Sequence, residues 1–335
     1  KNENFTLVGT FTKAKDVDDS KTFLFTGTGQ LSSNKIKKLI YDGNWKKGEK
    51  HGEAVENYYN RNSSLDRKYI GNFKNGYRSG QGKVYKLQNN ELFYKGTFKN
   101  GYIVKGTKYK NGSIIVYEGS FSKNKYNGKG KLFAENTMCI YDGKFKDDRK
   151  NGQGKLYSES TGKKLYEGNF KNDEKNGKGI EYDENGKKLY VGAFQNDRRH
   201  GKGYLYYPSG KEKYIGMFYK GLPEGKGKGF FENGKVEYDG QFYEGNFHKG
   251  IQYYLSGSYM KGYFMDNLPN GYMYEYDRNG NLLSECVMRK GIYDGRCKFY
   301  HTNGKIQFKG WYRDGERNGE GVEYCLLYTS PSPRD

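Results

Sequence analysis

The sequence predicts an all-β protein, an elongated single-sheet solenoid of about a dozen antiparallel β-hairpin repeats of about 24 residues each. Three observations predict it. Tyr-x-Gly-x-aromatic recurs at Tyr41, Tyr69, Tyr94, Tyr117, Tyr141, Tyr166, Tyr190, Tyr214 and Tyr238, at spacings of 28, 25, 23, 24, 25, 24, 24 and 24 residues. Most units then close with a second pattern, Gly-x-Gly, at Gly80/Gly82, Gly128/Gly130, Gly152/Gly154, Gly177/Gly179, Gly201/Gly203 and Gly225/Gly227. Finally, the chain is poor in aliphatic residues yet holds 35 Tyr, 20 Phe and 49 Gly against 5 Pro. A composition of 33% apolar and 29% charged residues with a net charge of +20 reads as disorder when the apolar residues are scattered. Here the aromatic residues fall at a fixed period, which marks a repeat architecture.

The spacing within a unit gives strands. Tyr190, Gly192 and Phe194 lie at i, i+2 and i+4, so in an extended chain they share one face. Gly201, Gly203, Leu205 and Tyr207 do the same on the next run, after the polar turn "QNDRRH". "PSGKEK" supplies the second turn. A strand glycine weakens its strand unless something fills the space above it. An aromatic ring lying across the glycine backbone does so. Intervening residues such as Asp142, Lys144, Glu167 and Asn169 are polar and are expected to face solvent. A single hairpin is marginal in water, but stacked hairpins sharing an aromatic face stabilise one another.

Taken in order, residues 1–40 read as a degenerate repeat or cap. It is built from "LVGTF" (Leu7–Phe11) and "GTG" (Gly27–Gly29) around a long inserted turn. Residues 41–258 form the regular array. Within it the Tyr94 unit departs, with Gly106 alone, and after Tyr238 the pattern stutters because Tyr-x-Gly-x-Phe recurs at Tyr243. Residues 259–324 hold irregular units around Tyr259–Gly271 and Gly291–Gly304 and a clean one at Phe308–Gly321. Residues 325–335, "CLLYTSPSPRD", break all periodicity and resemble translated sequencing-adapter sequence, so the native chain is expected to be interrupted near Tyr324.

"YEGNFKNDEKNGKG" from Tyr166 and "YVGAFQNDRRHGKG" from Tyr190 resemble the MORN (membrane occupation and recognition nexus) repeat. "YDGNWKKGEKHGEA" from Tyr41 has the Trp form and lacks the last Gly. The resemblance covers about residues 41–321. It implies a β-hairpin solenoid used for binding or tethering, at membranes or on the cytoskeleton. In some family members such arrays precede a phosphatidylinositol phosphate kinase or a SET-type lysine methyltransferase domain.

No catalytic residues, cofactor or metal are expected. Each Gly-x-Gly precedes a strand rather than the helix N-terminus a phosphate loop needs, and in the Walker-like "GFFENGKV" (Gly229–Val236) Val236 stands where a hydroxyl should be. His51 and His200 fill a position that other units give to Ser79, Asn151, Asn176 or Glu224, whereas a catalytic base would be singular. The four cysteines lack Cys-x-x-Cys spacing, so no disulfide framework or zinc site is expected and a reducing setting fits. No apolar run approaches the ~18 residues that span a bilayer.

Two surfaces are expected to bind. Lys146, Arg149, Lys150, Lys171, Lys175, Arg198 and Arg199 recur in the turns and predict a basic edge for anionic lipid, although Asp147, Asp148, Asp173, Glu174 and Asp197 offset much of that charge. Tyr166, Phe170, Tyr190, Phe194, Tyr214 and Phe218 predict an aromatic groove for an extended or helical peptide, in competition with simple packing over the glycines. The expectation is a non-catalytic cytoplasmic scaffold, peripheral to a membrane or the cytoskeleton. Its partners are proteins, a second copy of the chain among them. Direct binding of anionic membrane lipids, or a targeting region of a truncated enzyme, are the alternatives. The acidic turns disfavour nucleic acid.

Overall fold

The computed structural model describes residues 5–13, 25–60, 62, 64–86 and 88–325. Among these there are 26 strands and no helix, from Phe5–Lys13 to Glu316–Glu323. The chain divides into two compact units, Lys1–Glu174 and Lys175–Asp335. Within each, every strand pairs antiparallel with the next in sequence. The predicted hairpin repeat is therefore the observed one. The turn inserted into the first hairpin and the tail from 326 onward lie outside the described residues.

Register explains the repeat. The central glycines of successive strands oppose one another, as in Gly143↔Gly154↔Gly168 and Gly192↔Gly203↔Gly216. Over such pairs lies the unit's tyrosine ring. A β-carbon at Gly203 would sit 2.6 Å from Tyr190 Cζ, and one at Gly154 would be as close to Tyr141. Only glycine leaves room for the ring. The ring is then fixed by its hydroxyl, which donates to the carbonyl three residues on: Tyr41 to Asn44, Tyr117 to Ser120 and Tyr190 to Ala193, at 2.7, 2.7 and 2.9 Å. These bonds satisfy a buried phenol that would otherwise be costly. Phenylalanine two residues beyond the glycine meets its unit's tyrosine edge-on, as Phe194 meets Tyr190 at 5.1 Å between centroids.

The turns join neighbours. Asp147 and Asp148, like Asn196 and Asp197, have both φ values positive, as a type I′ hairpin turn requires. The second turn residue reaches the preceding hairpin twice. Asp148 N–H donates to Tyr126 O, and its carboxylate accepts from Tyr126 N–H at 2.7 Å; Asp197 treats Lys175 in the same way. These acids are structural ties between repeats, which is why they recur in basic turns.

Two departures have physical causes. The second Tyr-x-Gly-x-Phe at Tyr243 starts no new unit. Tyr243 ends a strand, Glu244 and Gly245 form the turn, and Phe247 on the return strand stacks on Tyr238 at 4.1 Å. The expectation of unpaired cysteines is also corrected, because Cys286 and Cys297 form a disulfide. They stand opposite each other where other hairpins carry the glycine pair, and Ser284 takes the tyrosine position. With no ring above, two side chains fill the space. The preceding hairpin makes the same exchange, with Met260 for tyrosine and Met273 for glycine, both buried.

Candidate functional site

The six residues of the predicted aromatic groove are core. Tyr166, Phe170, Tyr190, Phe194, Tyr214 and Phe218 are at most 4% exposed. The glycine backbone takes one side of each tyrosine ring, so no open groove runs along them. The packing role that competed with peptide binding is the one these rings fill.

The predicted basic edge is divided. Lys146, Arg149, Lys171 and Arg198 are exposed beside the turns. Lys150, Lys175 and Arg199 turn inward and cap the rings. Lys150 Nζ lies 5.7 Å from the Tyr141 centroid, Lys175 Nζ lies 5.6 Å from that of Phe194, and Arg199 Cζ lies 5.1 Å from that of Tyr190. The cause is a strand irregularity. The first glycine of Gly-x-Gly adopts positive φ, 92° at Gly152, and the ladder skips between Gly143 and Phe145. The skip swings the residue two places earlier onto the aromatic face. Lys50 and Arg78 cap Tyr41 and Tyr69 likewise, at 4.9 and 4.6 Å, and Tyr126 caps Tyr117 by stacking at 3.8 Å. Carboxylates bridge some caps: Glu181 accepts from Arg199 at 2.7 and 2.9 Å and pairs with Lys175 at 3.3 Å. Burial pushes the Glu181 carboxyl up, but the Arg199 hydrogen bonds and the two cations hold it below the usual range. Glu56 stands in the same relation to Lys50 and Arg78.

The Tyr94 hairpin breaks the layered order in another way. In the Tyr94 unit the positive-φ glycine is missing, and Val104 alone bulges between the pairs Thr97↔Lys105 and Phe98↔Ile103. The cap position holds Ile103, which is buried, with Cδ1 3.1 Å from where a Gly106 β-carbon would stand. Ile103 sits on the glycine pair itself. Tyr94 makes none of the hydroxyl bonds of its counterparts. Its ring meets Phe93 at 4.3 Å and Phe121 at 5.8 Å. A groove of about 840 Å³ opens here, lined by the buried Phe73, Val84, Phe98 and Ile103, by the charged Glu56, Asp66, Arg67 and Arg78, and by Tyr58, Tyr77 and Tyr102 as exposed rim. Arg67 and Phe93 line one end, and Lys86 and Lys108 stand beside that end without lining it; the three charges lie 5.9, 4.6 and 5.7 Å from the Phe93 centroid. Burial lowers the Lys108 pKa, Asp148 opposes that fall, and Lys86 adds to it.

A family model described as MORN repeat matches residues 41–63, 69–85, 117–138, 141–162, 166–188, 190–212, 214–236 and 308–325, just over half of the chain. The chain belongs to the MORN repeat family. No curated protein matches it closely enough to count as a relative. The matched MORN segments pass over 86–116, which holds Phe93, Tyr94 and Ile103, and over 237–307, which holds the methionine and cystine hairpins. The groove thus straddles matched segments, which supply Glu56, Tyr58, Phe73, Tyr77, Arg78 and Val84, and the unmatched 86–116, which supplies Phe93, Tyr94, Phe98, Tyr102 and Ile103. The sequence carried its signals, a 23-residue spacing and an isoleucine at the cap position, but they read only as an irregular unit. Among the described residues no three potential metal ligands come together, and no helix is long and apolar enough to cross a membrane.

Proposed function

We propose that this MORN chain is a non-catalytic scaffold that binds protein partners and tethers them at a membrane or cytoskeletal structure. The groove at Tyr94 is the observation that carries the reading. In the regular hairpins the tyrosine rings over the glycine pairs are consumed in the repeat's own packing. At Tyr94 it gives up a layer and leaves a groove of mixed apolar and charged lining with three exposed tyrosines around it. Concave sites with apolar floors and aromatic rims are favoured at protein interfaces. The test uses the full chain as bait in cell lysate, with chemical cross-linking, beside a Tyr77→Ser/Tyr102→Ser variant of unchanged circular dichroism. The expected result is a set of proteins that the variant fails to capture. Equal capture by both proteins would overturn the reading.

A second reading rests on the four turn cations that remain exposed, Lys146, Arg149, Lys171 and Arg198. They support docking to an anionic phospholipid surface, with about 1 kcal/mol per cation near the leaflet. Cosedimentation with phosphatidylserine vesicles that is salt-sensitive and lost in Arg149→Glu/Arg198→Glu supports it; equal sedimentation of that variant overturns it.

A further inference from the structure

The basic end of the Tyr94 groove joins two kinds of surface that the rest of the chain keeps apart. Several caps elsewhere are balanced in place, as Lys50 and Arg78 are by Glu56, and Lys175 and Arg199 by Glu181. Around Phe93 the balance is partial, with Glu91 opposite Lys86 in the strand register. Lys86 and Lys108 form no ion pair among the described residues, and Arg67 has only its sequence neighbour Asp66, at 3.4 Å and largely exposed. Strand register makes this crowding unavoidable. Arg67 is directly opposite Lys86, and Lys108 is opposite Tyr94, next to Phe93 in sequence. Three cations thus share one ring. Arg67, Phe93 and Tyr94 also line the groove, which continues to the floor of Val84, Phe98 and Ile103. Three cations against the two nearest carboxylates, Asp66 beside Arg67 and Glu91 opposite Lys86, leave an excess of positive charge at this end, which favours a ligand that brings carboxylates there and an apolar side chain to the other end.

On the reading that the chain binds proteins, we propose that this groove takes an acidic peptide segment of a partner, its Asp or Glu side chains on Arg67, Lys86 and Lys108 and an apolar or aromatic side chain on the floor beside Ile103. The rim tyrosines Tyr77 and Tyr102 flank the path of such a segment, and their rings give contact area at small cost in side-chain freedom.

A random twelve-residue peptide display library, selected on the full chain, tests this. The expected outcome is enrichment of Asp and Glu next to an aromatic or aliphatic residue. One selected peptide, synthesised and labelled, should bind at least tenfold more weakly to Lys86→Glu/Lys108→Glu, and its Glu-to-Gln form at least tenfold more weakly to the parent chain. Lys86 is exposed at a strand end and Lys108 is half-buried, so thermal melts are needed to confirm that the variant is folded. Lys86→Arg/Lys108→Arg, which keeps the charge, should retain binding if a fold defect is not the cause. The proposal is overturned if no acidic pool is selected, or if the selected peptide binds parent and charge-reversed chains equally. It is also overturned if the pair is needed only for phosphatidylserine vesicles, which would make a membrane the occupant. Partner capture from lysate that needs Tyr77 and Tyr102 but not Lys86 and Lys108 would leave the scaffold reading standing and remove this refinement alone.

Discussion

Ile103 occupies the space above Gly106 that a tyrosine ring takes over the glycine pairs of the regular hairpins, and Tyr94, displaced, makes no hydroxyl bond to its own strand. At this hairpin the aliphatic cap, the missing positive-φ glycine and the displaced tyrosine occur together, whereas Pro223 at the same cap register leaves Tyr214 in the seam. Substituting Ile103→Lys supplies the cap that Lys50 and Lys150 provide elsewhere. Tyr94 should then enter the seam. Selected peptides should lose at least tenfold in affinity while the melting temperature holds or rises. Unchanged peptide affinity, or a tyrosine that stays outside the seam by nuclear magnetic resonance, would show that Ile103 does not hold the groove open.

The glycine pairs and the tyrosine rings are coupled by volume. Gly203→Ala places a methyl group against Tyr190, and overpacking of this kind costs about 1–3 kcal/mol. In Tyr190→Ser the ring is gone and the same methyl has room. A double-mutant cycle by urea denaturation should show the pair less destabilised than the sum of the singles by about 1 kcal/mol or more. Additivity would sink the packing account.

The cystine hairpin runs the same exchange in reverse. Ser284→Tyr alone drives a ring into the space of Cys286 and Cys297 and should lower the melting temperature by several degrees. Ser284→Tyr with Cys286→Gly and Cys297→Gly rebuilds the regular layer and should recover most of that loss. No recovery would mean that the disulfide, not the filled volume, is what this hairpin depends on.

The buried tyrosines predict an alkaline limit. Burial pushes the Tyr69, Tyr190 and Tyr238 hydroxyls from their ordinary value near 10 up to about 12, and Tyr41 and Tyr214 higher still. The folded state therefore holds these protons more tightly than the unfolded chain. Stability is fully present below pH 10 and falls as pH rises through the folded values. Tyrosinate absorbance and loss of the β circular dichroism signal should rise together above pH 10 and be complete beyond about pH 12. Ionisation of most tyrosines near pH 10 with the fold intact would contradict the buried seam.

The bridged caps predict the opposite dependence in acid. The Glu181 carboxyl is lowered in the fold, so its contribution is present above the ordinary value of 4.5 and is lost as pH falls through the folded one. Arg199→Met should cost about 1–3 kcal/mol at neutral pH, because it removes charge-assisted bonds to a part-buried carboxylate. The difference from the parent should shrink below pH 4.5. A gap of constant size would assign the loss to packing of the guanidinium stem instead.

Much of this was legible in the chain. The period of Tyr166, Tyr190 and Tyr214, the alternation through Gly192 and Phe194, and the turn residues each depend on neighbours within one hairpin. Local spacing therefore determined the strands, the turns and the face on which the rings lie. The sequence could not distinguish Lys146 and Arg149, which stay in solvent, from Lys150, one residue on, which rides over Tyr141. That division depends on a ladder irregularity between two strands.

By itself, then, the sequence determined an all-β MORN array and its repeat length, because those follow from side-chain periodicity along the chain. Tertiary structure alone decided that the predicted aromatic groove is core, that Ile103 displaces Tyr94, that Cys286 meets Cys297, and that Arg67, Lys86 and Lys108 converge on Phe93. Each of these depends on which residues of adjacent strands stand opposite one another. Bulges and cap volumes set that register, and it acts between residues far enough apart in sequence that no single motif contains them.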